Sequence, residues 1–131
     1  MIEADALAYN PGSAPRNGRV VEMHTRFGNK VSPAETAIVT MWKDVISTYA
    51  ITGLNATGYA MGMNLSDHGS FWKFLPAVPA VLLIEDDRNG SNSNWHTTAD
   101  TTSTFNWAYY VHVTRTLVGL AAHQAQLIST S

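Results

Sequence analysis

Cysteine is absent from this 131-residue chain. That one absence excludes disulfide frameworks, cysteine-based zinc sites and thiol catalysis together. Charge is scarce as well: 14% of residues are charged and the net charge is −2. With no basic stripe to follow a phosphate backbone, nucleic acid is not an expected partner. No apolar run reaches the ~20 residues that span a bilayer, and the first residues lack the basic flank and continuous apolar core of a signal peptide. No membrane partner is expected either. There is no internal repeat and no low-complexity linker, and the five histidines are scattered.

What is present is a core-forming composition. With 45% apolar residues, residues 1–131 read as one domain rather than two. Met1 to Tyr9 sets Glu3 and Asp5 among small and apolar residues before the Asn10-Pro11-Gly12 turn, which predicts a short strand with Asp5 near its carboxyl end. After a loop to Gly18, Arg19-Val20-Val21-Glu22-Met23 predicts a second strand. Ser32-Pro33-Ala34-Glu35 is a capping box with proline at the first helical position. Behind it Ile38, Met41, Trp42, Val45, Ile46 and Tyr49 keep the helical period, and Gly53 is expected to end the helix.

Asn55 to Met63 reads as a loop with a short edge strand, and Ser66 or Asp67 is expected to cap a short helix through Phe71, Trp72 and Phe74. Ala77 to Glu85 is apolar at consecutive positions, which predicts a strand buried on both faces. A last helix is expected from about Ser103 to Leu127, with Phe105, Ala108, Val113, Leu117, Leu120 and Ala121 toward the core. His112 and His123 share one side of it, but roughly 16 Å of helix axis separates them, too far for one metal. They read as part of a solvated face. The expected fold class is α/β, a mixed β-sheet flanked by helices on both faces.

The stretch with most chemistry is Asn94-Trp95-His96-Thr97-Thr98-Ala99-Asp100-Thr101, which follows the buried strand. The carboxyl end of such a strand is where α/β proteins place ligands. His96 lies among hydroxyls, four residues from Asp100; neutral imidazole suits catalytic zinc, and a neighbouring carboxylate can fix its tautomer. Read alone, the same histidine is as readily a surface residue whose contacts with Asp100 are purely structural.

Two other groupings are set aside. Asp67, His68 and Ser70 supply the residue types of a hydrolase triad, but neighbours on one helical turn diverge. Asp86-Asp87-Arg88-Asn89-Gly90 offers oxygen ligands without the spacing or closing glutamate of a calcium loop. Glu85, at the strand's end, is a candidate to meet a substrate ammonium, or else a loop salt bridge.

Taken in order, Ile2-Glu3-Ala4-Asp5, Ser66-Asp67-His68-Gly69-Ser70-Phe71-Trp72, Val78-Pro79-Ala80 and Trp95-His96-Thr97-Thr98-Ala99-Asp100-Thr101 resemble the carboxyl-terminal half of a di-zinc exopeptidase domain. That superfamily includes bacterial leucyl aminopeptidase, glutaminyl cyclase and carboxypeptidase Q. The resemblance implies a partial zinc-exopeptidase (phosphorylase/hydrolase-like) fold and a peptide substrate. It implies zinc as cofactor, two ions in the complete site, with Asp5 and His96 as ligands to different ions, so that the chain by itself is expected to bind zinc weakly or not at all. Ser66, Asp67 and Asp100 become candidates to brace those ligands, and secretion or a periplasmic location would suit the parent protein.

The same resemblance implies three more ligands and a general-base glutamate ahead of Asp5, where this sequence offers none. No Glu-Glu pair occurs anywhere in it. Activity is therefore expected only when an amino-terminal half completes the site. The alternatives are a truncated reading frame, a subunit of a split enzyme, or a non-catalytic, metal-free binding module; an uncovered sheet edge would favour self-association.

Overall fold

The computed structural model of the chain describes residues 1–9, 19–59, 63–85 and 92–129. Strands β1 (Ile2–Asp5), β2 (Val20–His24), β3 (Asn55–Tyr59) and β4 (Val81–Glu85) form one sheet, with helices α1 (Pro33–Thr48), α2 (Asp67–Phe74) and α3 (Trp107–Ser129) around it. The strand order is β1-β4-β2-β3. β4 runs parallel to β1 and antiparallel to β2, and β2 runs parallel to β3. The sheet is thus mixed, and the two interior strands, β2 and β4, are the ones made of consecutive buried residues.

Register assigns the faces. In-register neighbours project to the same side of a sheet, so Ile2, Val81, Leu83, Val21 and Met23 share one face, and Glu3, Asp5, Leu82, Ile84, Glu22 and His24 share the other. The first face packs against Ile38 and Trp42 of α1 and Tyr109, Val113 and Leu120 of α3 to make the core. The second face receives α2. Helices on both faces are therefore the observed arrangement.

α1 begins as its sequence dictates. Ser32 Oγ accepts from the Glu35 amide at 3.2 Å, and Glu35 Oε2 accepts from the Ser32 amide at 3.2 Å. Ile38, Trp42 and Val45 are buried, while Tyr49 is 55% exposed. The helix stops at Thr48, before the expected Gly53, because Ala50 turns into the left-handed region at φ +48°. Gly53 has a different duty: a Cβ there would overlap the ring of His112. At Gly119 a Cβ would stand 2.6 Å from Val45 Cγ1, so this glycine sets the close approach of α3 to α1.

Other expectations shift by a few residues. β4 starts at Val81 rather than Ala77, since the backbone before it bonds to side chains. Val78 O accepts from Arg26 Nη2 at 3.0 Å, Ala80 O from Trp72 Nε1 at 2.8 Å, and the Ala80 amide donates to Glu35 at 3.3 Å. Asn55–Tyr59 is an ordered edge strand. In α3 the expected core residues Ala108 and Ala121 are exposed, and Tyr109 and Thr116 are buried in their stead. His112 and His123 are half-buried rather than solvated; His123 lies edge-on to Tyr49, 5.9 Å between ring centres.

Candidate functional site

The site is built on the second face of the sheet, where β1 meets the start of α2. Residues two apart on a strand point the same way, so Glu3 and Asp5 both face α2. Ser66, at the residue before the helix, leaves its own cap unmade and turns its hydroxyl toward them, bonding Glu3 Oε1 and Asp5 Oδ2, the latter at 3.1 Å. Glu3 supplies the cap from across the fold. Its carboxylate accepts from the amides of Asp67 at 3.2 Å and His68 at 2.6 Å, and from His68 Nδ1 at 2.8 Å.

A carboxylate at a helix amino terminus also meets the favourable end of the helix dipole. Partial burial pushes Glu3 toward its neutral form, yet the bonds from Ser66, His68 and Asp67 outweigh it and hold the carboxyl below the usual glutamate range. His68 is fully buried, pairs edge-on with Trp72 at 4.5 Å, and places Nε2 on the carbonyl of Met63.

Asp5 is the last residue of β1, level with Ile84 of β4. Ala6, at φ +46°, turns the chain immediately afterward. The turn is anchored on three sides: Ala6 O accepts from the Glu85 amide at 3.3 Å, the Tyr9 amide donates to Glu85 Oε2 at 2.8 Å, and Ala8 O accepts from the Asn106 amide at 2.9 Å. The carboxyl ends of β1 and β4 and the approach to α3 converge on the turn that follows Asp5. Glu85 is 4% exposed, and its carboxylate holds this turn through the Tyr9 amide.

His96 sits in a tight, exposed turn at φ +62°, its ring stacked on Trp95 with centres 3.9 Å apart. Left-handed backbone is uncommon outside glycine, and asparagine, aspartate and histidine are the side chains most often found there. The turn is held by Thr97 Oγ1 on Asn94 O at 2.6 Å and by Asn92 Nδ2 on Asp100 Oδ1 at 2.6 Å. Asp100 thus braces the loop through Asn92. Asp67 contributes its amide to Glu3, and its side chain is exposed. The calcium-loop residues 86–90 lie outside the described residues.

Sequence reasoning passed over a second polar pair on this face. Glu22 Oε2 and His24 Nε2 meet at 2.9 Å, and both residues are buried. Asp5, Ile84 and Glu22 form one row across three strands, and Glu3, Leu82 and His24 the next. The readable signal was the spacing: Glu and His two apart in an otherwise apolar strand must share one face. Two strand spacings, roughly 10 Å, separate them from Asp5 and Glu3.

Asp5 and His96 are donors of the kinds zinc takes, carboxylate oxygen and imidazole nitrogen, whereas a catalytic zinc normally takes three protein ligands. Among the described residues no group of three or more histidine, aspartate or glutamate side chains is placed to hold a metal ion. The donor set therefore fits zinc in kind and falls short in number.

No protein-family model matches the chain. No curated protein matches it by sequence either. Among solved structures it is similar to the aminopeptidase LapA of Legionella pneumophila, with a TM-score of 0.65 and 18% identity over 92% of this chain. The chain spans 29% of the length of that protein. This likeness shows the fold: a mixed α/β, aminopeptidase-like arrangement.

Proposed function

We propose that the chain is part of a peptidase catalytic domain that removes amino-terminal residues from peptides with the help of two zinc ions. The observation that carries this reading is the position of Asp5. It is a half-buried carboxylate at the carboxyl end of β1, steadied by Ser66, in a fold similar to an aminopeptidase over nearly its whole length. Asp5 and His96 would each hold one ion. Zinc, when bound, would acidify a water molecule for attack on the peptide carbonyl.

The chain's own residues would do the positioning. Ser66 bonds the Asp5 carboxylate, Glu3 fixes the start of α2 from which Ser66 projects, and Asn92 with Asp100 holds the turn that presents His96. The general base and the remaining ligands would come from polypeptide other than these 131 residues. A polypeptide that carries them should restore hydrolysis when added.

The test is zinc content after dialysis, measured for the parent chain, Asp5→Ala and His96→Ala, each together with a polypeptide that supplies the remaining ligands. The proposal expects retained zinc that falls in both variants. With that polypeptide present, zinc held equally by all three chains would overturn Asp5 and His96 as ligands, and zinc held by none speaks for the second reading, a binding module without metal. What favours that reading is the structural employment of the acidic groups, since Glu3, Glu85 and Asp100 all spend carboxylate oxygens on bonds within the chain.

A further inference from the structure

A groove of about 770 Å³ runs along α2 and is closed on its other side by the segment after β2. Its size lies within the roughly 300–1,000 Å³ common for ligand sites. Arg26, Lys30 and Lys73 line it, and no carboxylate does among the described residues. For a chain of net charge −2, that is a local concentration of the minority sign.

The three cations are not equivalent. Arg26 is buried against Glu35, bonds the Val78 carbonyl, and lies 6.0 Å from the centre of the Trp72 ring, so it is a fixed wall whose charge is already answered. Lys30 and Lys73 are exposed, and neither has a carboxylate partner among the described residues. Beside them stand two aromatic rings that folding leaves bare, Phe27 at 66% and Phe74 at 69% exposure. Lys73 Nζ lies 4.9 Å from the Phe74 ring centre, which holds the ammonium over the groove by a cation–π contact.

The groove is also continuous with the candidate site. Ser66 is among its lining residues, and Ser66 is the residue that bonds Asp5. We infer that the groove takes the downstream part of a peptide substrate and selects acidic residues with aromatic or large apolar neighbours. Carboxylates meet Lys30 and Lys73, and the neighbouring side chains cover Phe27 and Phe74. This inference rests on the peptidase reading for the direction of the peptide, and on the groove alone for its chemistry.

The test is fluorescence anisotropy with a labelled peptide that has an apolar first residue and alternating Phe and Glu behind it, compared with the same peptide carrying Lys for Glu. Measurements in EDTA keep the result independent of metal. The acidic peptide should bind about tenfold more tightly than the basic one, as expected for two exposed charge pairs. Its affinity should fall with added salt, and K30E/K73E should reverse the preference. Equal affinity for the two peptides, a preference unchanged in K30E/K73E, or capture of anionic vesicles in place of the peptide would overturn the inference. Loss of the zinc result with a retained acidic preference would sink the peptidase reading and leave the groove's chemistry standing; retained zinc with no preference would do the reverse.

Discussion

The carboxylate of Glu3 accepts from both the amide and the ring Nδ1 of His68, at 2.6 and 2.8 Å, and so joins the first strand of the chain to the first turn of α2. A glutamine at this position keeps the length and one acceptor oxygen, whereas alanine takes their acceptor from His68 Nδ1 and two amides and leaves the Ser66 hydroxyl only Asp5. Glu3→Ala should cost about 1–3 kcal/mol or more, as each buried donor left unmatched is expensive. Glu3→Gln should cost clearly less. Urea unfolding of the three chains gives the comparison, and equal midpoints for parent and alanine variant would refute the assignment of Glu3 as the cap.

The same contact predicts an acid limb of stability. Because Glu3 is held below its usual range when folded, the unfolded chain binds its proton more readily than the folded one. The sign follows: this contribution is complete above the ordinary glutamate range and is lost as pH falls through the lowered folded value. Stability of the parent chain should therefore drop on acidification from neutral pH, and Glu3→Gln should flatten that drop. An identical acid slope in both would rule Glu3 out as its source.

Arg26 and Glu35 make the second joint, a buried ion pair that ties the start of α1 to the segment before β4. Arg26→Ala strands a fully buried carboxylate and should cost about 3–5 kcal/mol. Replacing both residues by methionine should not recover the parent's stability. Glu35 also receives the amides of Ser32 and Ala80, and apolar side chains cannot. Full recovery in the double variant, by thermal or denaturant unfolding, would show that those two bonds contribute nothing.

These joints mark where the sequence was legible. Ser32 and Glu35 are three residues apart, so the capping box could be read directly, and Asp5 at a strand's end and the buried run into Glu85 were local patterns as well. The Glu3 cap joins residues 63 to 65 positions apart, and no local spacing announces such a contact. Gly53 was misread for the same kind of reason: it looked like a helix stop and serves instead as the surface on which His112 rests. Val78 and Ala80 looked like strand, but their backbone groups are claimed by Arg26, Trp72 and Glu35. Glu22 and His24, by contrast, carried a local signal that alternation along the strand makes readable.

His96 and its loop should be separable from folding. The residue is exposed and its ring touches Trp95 rather than the core, so His96→Ala should leave global stability within about 0.5 kcal/mol. A much larger loss would give His96 a structural part that its exposure does not suggest. Denaturant unfolding of the metal-free chain is the control that lets any change in zinc content be read as lost ligation.

Gly53 and His112 offer the sharpest steric test. A methyl at Gly53 has no room beside the imidazole, and the ring cannot retreat freely because α3 is fixed nearby by the approach of Gly119 to Val45. Gly53→Ala should therefore cost about 1–3 kcal/mol, the range for forcing a group into a packed site. His112→Ala removes the obstacle. In the double variant the cost of the added methyl should fall to a few tenths of a kcal/mol, giving a coupling energy of about 1–2 kcal/mol from the double-mutant cycle. Additive effects would mean that the loop after α1 moves away from α3 instead of pressing on it, and that the contact between the two does not fix their spacing.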